Sequence, residues 1–459
     1  MIYLLVTIIV LYISYHFFYL ASGSMSIREL NLGSYFFYYK FIIYAVIGSV
    51  IIVNNMDYSA WFRYIHLTQE VRIYGWIAIL YTVLMFPIGM ILATKVLHVN
   101  NMSVFFKNYR EKSLVPYLSK KDSYIFFSLF FLSMISILSI TYTFIVIGKV
   151  PLLEVFKATG AWDLARLRME AKMGFDGNTY IRQIFAIMLT PLLSYIYFLY
   201  YKLYKKKVFL LLFIVYFFLS FLILTYNFEK APFLNYLFGF LFFSVFLNGK
   251  ISKKFLYGTL FFILFLVIGM YIFIMDKELW QLIDLQEAGI LQRVLIAQVV
   301  GVFTSFQLFP DVEPFVGLQG LKIYSAVIGA EQSEGVSRLM MIHANPEGIK
   351  AGIAGFMVSL FISEAWGNFG ILGLLIAPIY VGFVVQFLYI FLLKKEKTPI
   401  ILALTVFLIL YWPVTSLLGK FYYNPALIIF ISLIYIVYVV GNFLKRNYYK
   451  KNSNNNSHI

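Results

Sequence analysis

Cysteine is absent from the 459 residues of the chain, and charged residues make up only 13% of it. The absence of cysteine excludes disulfide bonds, thiol nucleophiles and thiolate metal sites. A soluble domain is about half apolar and about a quarter charged, whereas this chain is 62% hydrophobic and 20% aromatic. The shortage of charge therefore predicts a protein that crosses the membrane several times.

The common signatures of soluble enzymes are also absent. The chain has no Walker loop, GxGxxG, GxSxG or HExxH motif. Its five histidines are scattered, and no DxD pair occurs in the segments predicted to lie outside the cell. We therefore expect no cofactor and no metal. The net charge of +16 is expected to face an anionic membrane leaflet, so we predict no nucleic-acid partner.

Apolar runs recur along the chain, and each is long enough to cross about 30 Å of hydrocarbon. They predict an all-α polytopic membrane protein with about 11 transmembrane helices. The predicted spans cover residues 2–21, 35–54, 73–94, 123–147, 181–201, 208–226, 232–248, 255–275, 369–393, 398–417 and 424–444. We expect one transmembrane domain over residues 1–445 and a polar, disordered cytoplasmic tail at 446–459. The first run lacks a basic leader and a cleavage site, which favours a retained helix over a signal peptide.

The connections between the predicted spans alternate in charge. Lysine clusters such as "KLYKKK", "KISKK" and "KKEK" indicate cytoplasmic segments, which places the N-terminus outside and the C-terminus inside. The opposite side receives two long loops, residues 148–180 and 276–368. The second loop should contain several helices, because so long an unstructured loop is uncommon. Within it we interpret residues 288–310 as a half-buried external helix with Arg293 and Gln298 turned toward the protein.

The predicted external segments favour arginine over lysine. They contain Arg63, Arg72, Arg166, Arg168, Arg182, Arg293 and Arg338. Arginine binds phosphate or carboxylate through a planar fork, whereas lysine is a compact point charge. Arginines without a metal suit a lipid diphosphate at the membrane surface. The alternative is that Arg168 and Lys172 are solvated loop charges paired with Asp163, Glu170 or Asp176.

Several stretches resemble a known family. "LARLRMEAKMGFDGN" places ten residues between Arg166 and Gly177, and "LTYNFEKAPFLNYLFGF" ends a later span. The second long loop opens with "ILQRVLIAQVVGVFTSFQLFP" and closes with "EAWGNFGILGLLIAPIYVGF". Their order resembles the bacterial oligosaccharide repeat-unit polymerases, the Wzy-type polymerases of O-antigen and capsule, over about residues 120–395. One departure is that Gly348 follows Arg338 one residue short of the ten-residue spacing.

The resemblance implies a reaction on the external face of the bacterial cytoplasmic (inner) membrane. In that family a growing chain is transferred from undecaprenyl diphosphate onto a hydroxyl of a second lipid-linked repeat unit. The implied partners are lipid-linked oligosaccharides, membrane lipids and, as a candidate, a chain-length regulator protein. The implied diphosphate-binding residues are Arg166, Arg182, Lys230, Arg293 and Arg338. The candidate general bases are His343, Glu347 and Glu364.

Three other functions remain open on the sequence. An O-antigen ligase shares the architecture but transfers the chain to lipid A core. A lipid-linked oligosaccharide flippase would show an internal repeat, which we do not find. A membrane O-acyltransferase would need a histidine inside a span, and only His16 lies in one, among residues typical of packing.

Two local features add expectations. Gly367, Gly370 and Gly373 form a small-residue track for close helix packing, and Asn368 is a candidate cap for the span that follows. Trp162 and Trp280 are either interfacial anchors or aromatic faces that stack on sugars.

Overall fold

The computed structural model of the protein describes most of the chain. The described residues are 2–56, 67–116, 123–148, 161–172, 174–227, 229–275, 278–284, 289–320, 329, 334–357, 359–411, 418–422 and 424–435. Within these ranges the chain is helical and contains no β-strand, which confirms the all-α prediction. The predicted tail at 446–459 and Arg63 lie outside these ranges.

The helices are numbered here in chain order. They are α1 (Ile2–Ser22), α2 (Leu32–Val53), α3 (Gln69–Val96), α4 (Met102–Glu111), α5 (Ser123–Ile147), α6 (Ala161–Lys172), α7 (Ile181–Tyr204), α8 (Lys207–Leu224), α9 (Lys230–Asn248), α10 (Lys253–Met275), α11 (Val300–Leu308), α12 (Val336–Ala344), α13 (Pro346–Lys350), α14 (Phe361–Leu393), α15 (Pro399–Tyr411), α16 (Gly419–Tyr422) and α17 (Pro425–Tyr435).

Among the described residues, eight helices are long and apolar enough to cross a membrane: α1, α2, α3, α5, α7, α8, α9 and α14. The protein is therefore a polytopic membrane protein. The other three predicted spans overlap the apolar helix α10 and the shorter apolar helices α15 and α17. The total of eleven spans stays a prediction.

Helices α3 and α14 pack closely through glycine. A Cβ atom added at Gly89 would lie 2.0 Å from the carbonyl oxygen of Ile379, and one at Gly382 would lie 2.1 Å from that of Phe86. Helices inside a bilayer associate largely through van der Waals packing, so small residues that let backbones approach stabilise the pair. These two glycines set the distance between α3 and α14.

Helix α14 starts earlier than hydropathy indicates. It begins at Phe361 and is interrupted at Gly370, where φ is +56° and ψ is −136°. A positive φ is accessible to glycine because it has no Cβ. The expectation that Asn368 caps this helix is wrong, because Asn368 lies inside it and is 2% exposed. The close packing expected at Gly367 is present, with a Cβ there only 2.6 Å from Val336.

Polar contacts join distant segments at one end of the helices. The Arg28 Nε atom donates to the carbonyl of Ile251 at 3.1 Å, and Arg110 pairs with Glu29 at 3.0 Å. The Lys397 ammonium donates to three backbone carbonyls at the end of α4, at 2.6 to 3.2 Å. We call this end the lysine-rich face, formed by residues 23–31, 97–116, 249–252 and 394–398. The described parts of the two long loops predicted to be external, within residues 148–180 and 276–368, lie at the opposite end of the helices. We call this end the arginine-rich face.

Three helical segments of the described chain are π-helical, and each contains one cation. They are Phe36–Val46 in α2 with Lys40, Ile181–Met188 in α7 with Arg182, and Gln292–Ile296 with Arg293. π-Helical turns are rare and occur frequently at functional sites. Hydropathy cannot indicate them, because the local composition resembles that of ordinary membrane helices.

Candidate functional site

Helix α6, which contains Arg166 and Arg168, is attached to two neighbouring segments. Arg168 pairs with Glu229, just before α9, at 3.1 Å. Arg182, at the start of α7, donates from Nη1 to the carbonyl oxygen of Ala171 at 3.1 Å. The first long loop therefore rests on the ends of α7 and α9. The described partner of Arg168 is therefore Glu229, which is not among the carboxylates that the solvated-charge alternative named.

Arg182 is the most enclosed of the candidate arginines. It is 8% exposed, and its guanidinium carbon lies 4.0 Å from the ring centre of Phe175 and 5.6 Å from that of Tyr226. Aromatic faces attract a guanidinium and hold its plane. The guanidinium of Arg182 is therefore held between the first long loop, which contains Phe175, and the turn between α8 and α9, which contains Tyr226.

Arg166 is the most accessible candidate. Its side chain is 67% exposed, and its Nε atom lies 3.7 Å from the Glu170 carboxylate one turn along α6. An exposed pair of this kind stabilises a helix by only about 0.3–0.5 kcal/mol. Most of the Arg166 side chain is therefore accessible from outside the protein.

Arg338 on α12 binds the protein backbone. Its Nη1 atom donates to the carbonyl oxygens of Ala354 and Gly355 at 3.1 and 2.8 Å. The adjacent Ser337 carbonyl accepts from the Met357 backbone N–H at 2.9 Å. The guanidinium therefore fixes the stretch 354–357 of the second long loop, which leads toward α14. This role was not expected from the sequence, which contains no signal for an arginine-to-carbonyl contact.

The two long loops meet in space. A Cβ atom added at Gly355 would lie 3.6 Å from the terminal methyl carbon of Met169. Met169 is on α6, less than one turn from Arg166, and the Gly355 carbonyl is the one that Arg338 binds. The helix that contains Arg166 and the stretch that Arg338 binds are therefore in contact.

Residues 289–308 do not form one helix. They form the π-helical turn Gln292–Ile296 followed by α11. Arg293 and Gln298 are partly buried, as expected, and Ser359 Oγ donates to the Gln298 carbonyl at 3.0 Å. The turn therefore joins the opening of the second loop to its closing stretch. The break after Ile296 accounts for the difference from the single half-buried helix that we predicted.

The three candidate bases occupy different environments. Glu364, in the first turn of α14, is 6% exposed and accepts the Gly419 backbone N–H at 3.1 Å. His343 is partly buried in the last turn of α12, and Glu347 is exposed in the first turn of α13. Glu364 is enclosed by protein, whereas Glu347 faces solvent. A buried carboxylate is the better positioned of the two to act as a base, because its orientation is fixed.

Two candidates cannot be placed in full. Lys230 is the first residue of α9, but its side chain and that of Trp162 lie outside the described part of the structure. Trp280 is 56% exposed, and its indole N–H donates to the Glu278 carboxylate. This exposure is compatible with either of the roles expected for Trp280.

The arginine-rich face and the helix bundle define a helical membrane protein with a basic site at one end. In the described ranges, no group of three or more histidine, aspartate or glutamate side chains is positioned to hold a metal ion. Comparisons with models of known families, with curated proteins and with solved structures give no match to this chain.

Proposed function

We propose that the protein polymerises oligosaccharide repeat units linked to undecaprenyl diphosphate. The growing chain leaves its lipid diphosphate and is joined to a hydroxyl of a second lipid-linked unit. The products are a chain longer by one unit and free undecaprenyl diphosphate. The reaction takes place at the arginine-rich face, outside the cytoplasmic membrane. It contributes to O-antigen, capsular or exopolysaccharide synthesis.

The contact between Met169 and Gly355 is the observation that supports this proposal. It joins the helix that contains Arg166 to the stretch that Arg338 binds, two elements far apart in sequence. Two lipid-linked substrates must meet for the transfer, so contact between arginine-containing segments of two loops suits the reaction. A diphosphate leaving group gains charge as its bond to the sugar breaks, and guanidinium groups stabilise that charge.

The residues have separate roles in this proposal. Arg166 binds the diphosphate from α6, and Arg182 holds a second diphosphate at the top of α7. Arg338 positions the 354–357 stretch and acts on the substrate through it. Glu364 is the general base that accepts the proton of the attacking hydroxyl, because its carboxylate is buried and oriented by the Gly419 N–H.

A reconstitution experiment tests the reaction. The purified protein in liposomes receives lipid-linked repeat units as its only substrate, with and without a divalent chelator. We expect a ladder of products in both conditions, read by electrophoresis. A ladder that disappears with chelator and returns with magnesium or manganese contradicts the metal-independent mechanism.

The same assay separates the alternatives. Product formation only after lipid A core is added indicates a ligase. Movement of the lipid-linked unit across the bilayer without any new glycosidic bond indicates a flippase. Glu364→Gln keeps the size of the side chain and removes the basic oxygen, so it should abolish the ladder. An active Glu364→Gln variant excludes Glu364 as the base.

A further inference from the structure

A small cavity lies between α14 and α15, near the lysine-rich face. Its volume is about 10 Å³, which is the room that one water molecule needs. The side chains that line it are apolar except for Tyr389, one turn before the end of α14, and Thr405, in the second turn of α15. Leu32, the first residue of α2, also lines it. The cavity therefore brings polar side chains of two helices to one enclosed space.

The hydroxyl of Tyr389 is buried without a completed hydrogen bond. The residue is 4% exposed, and within the described chain its hydroxyl has no hydrogen-bond partner. The backbone N–H of Leu32 is directed toward it, and the Arg110 guanidinium acts on it electrostatically. Both of these groups are donors only. The Tyr109 hydroxyl also acts on Tyr389, but it has no hydrogen-bond partner either, so the two phenols do not bond to each other. The proton of the Tyr389 hydroxyl therefore still needs an acceptor.

The hydroxyl of Thr405 has the opposite requirement. Thr405 is 1% exposed, and its Oγ1 atom donates to the carbonyl oxygen of Ile401 at 2.7 Å. A hydroxyl has one proton and two acceptor lone pairs. The single proton of Thr405 is used within α15, so its oxygen can offer the cavity only an acceptor.

We propose that this cavity binds one water molecule, which bridges α14 and α15. The water accepts the proton of the Tyr389 hydroxyl and donates one of its own protons to Oγ1 of Thr405. A halide ion can accept but cannot donate, and a metal cation cannot accept the phenol proton, so the pair of hydroxyls selects water. Buried waters in proteins typically bind polar groups that have no other partner. The site concerns hydration of the helix bundle, so it stands or falls independently of the polymerisation reaction.

Thermal unfolding of the purified full-length protein in detergent tests the bridge. Tyr389→Phe and Thr405→Val each keep the shape of the side chain and remove one partner of the water. We expect each variant to lower the melting temperature by about 1–4 °C, because a buried polar group loses its partner. The double variant should lower it by little more than one single variant does, since either change removes the same bridge.

Two matched controls lie outside the cavity. The Tyr35 hydroxyl is also buried without a partner in the described chain, so Tyr35→Phe should maintain or raise the melting temperature. Thr82 is buried and donates to the Ala78 carbonyl at 2.7 Å, as Thr405 does to that of Ile401. Thr82→Val therefore measures the cost of losing such a contact alone, and Thr405→Val should lower the melting temperature further than it does.

A density map of the protein at a resolution that shows ordered water gives the direct test. We expect a single peak within hydrogen-bond distance of both the Tyr389 and Thr405 hydroxyls, and no such peak in Tyr389→Phe. Three results overturn the proposal: a wild-type map without this peak, a Tyr389→Phe variant that is as stable as the wild type or more stable, and fully additive losses in the double variant. Each would show that the two hydroxyls share no water.

Discussion

Replacing Arg166 tests the diphosphate site directly. The Arg166 side chain is 67% exposed and lies 3.7 Å from the Glu170 carboxylate. Because a side chain this exposed contributes little to the core, Arg166→Ala should still insert and fold. If the guanidinium binds the leaving diphosphate, its loss removes a charge-assisted contact worth about 1.5–3 kcal/mol. That difference corresponds to a tenfold to hundredfold loss of rate, on the order of one factor of ten per 1.4 kcal/mol.

The shape of the side chain matters as well as its charge. Arg166→Lys keeps the positive charge but loses the planar fork that binds two phosphate oxygens. We expect Arg166→Lys to lose most polymerisation and Arg166→Ala to lose nearly all of it. Polymer ladders are compared at matched protein levels in membranes.

Arg168→Ala is the control on the same helix. It breaks the ion pair with Glu229 but removes no proposed substrate contact, so it should lose much less polymer. Normal ladders from both Arg166 variants would refute the reasoning and leave Arg166 as a solvated loop charge. Equal losses for Arg166→Ala and Arg168→Ala would indicate that the helix as a whole is needed, and not the Arg166 guanidinium.

Three further predictions concern topology and packing. The chain has no cysteine, so single cysteines can be introduced at two exposed positions, as Lys107→Cys and Val312→Cys. The two variants should react with a membrane-impermeant maleimide from opposite sides of the membrane. Labelling of both from outside rejects the topology. Gly382→Ala should destabilise the contact of α3 and α14 by about 1–3 kcal/mol and lower the melting temperature, whereas Gly258→Ala, which meets no neighbour within 4 Å, should not. Lys397→Met leaves three carbonyls without their shared donor. It should lower the free energy of unfolding by about 1–3 kcal/mol, measured by the same unfolding experiment. An unchanged melting temperature would show that water replaces the ammonium.

Hydropathy and charge were sufficient to predict the membrane class and the separation of lysine-rich from arginine-rich segments. Both depend on composition over many residues, which the bilayer selects directly. The break at Gly370 was not predictable, because a glycine in an apolar run is compatible with a continuous helix. The early start of α14 at Phe361 was missed for a related reason, since its first turns contact protein and their hydropathy does not mark a membrane boundary.

The candidate site was predictable only as a set of residue types. Arginine enrichment indicated which loops matter, but the contacts of each side chain depend on partners far away in sequence. Arg338 binds backbone carbonyls, which have no sequence signature, and Arg168 pairs with Glu229 from another segment.

The contact between Met169 and Gly355 also constrains how the protein is made. The two residues are about 190 positions apart, and a ribosome adding about 5–20 residues per second needs roughly 10–40 s to cover that distance. During this interval α6 has already been synthesised, while the stretch it will contact does not yet exist. The arginine-rich face is therefore completed late in biosynthesis, after most of the bundle has been synthesised. A chain interrupted before Gly355 lacks that contact and cannot assemble the site.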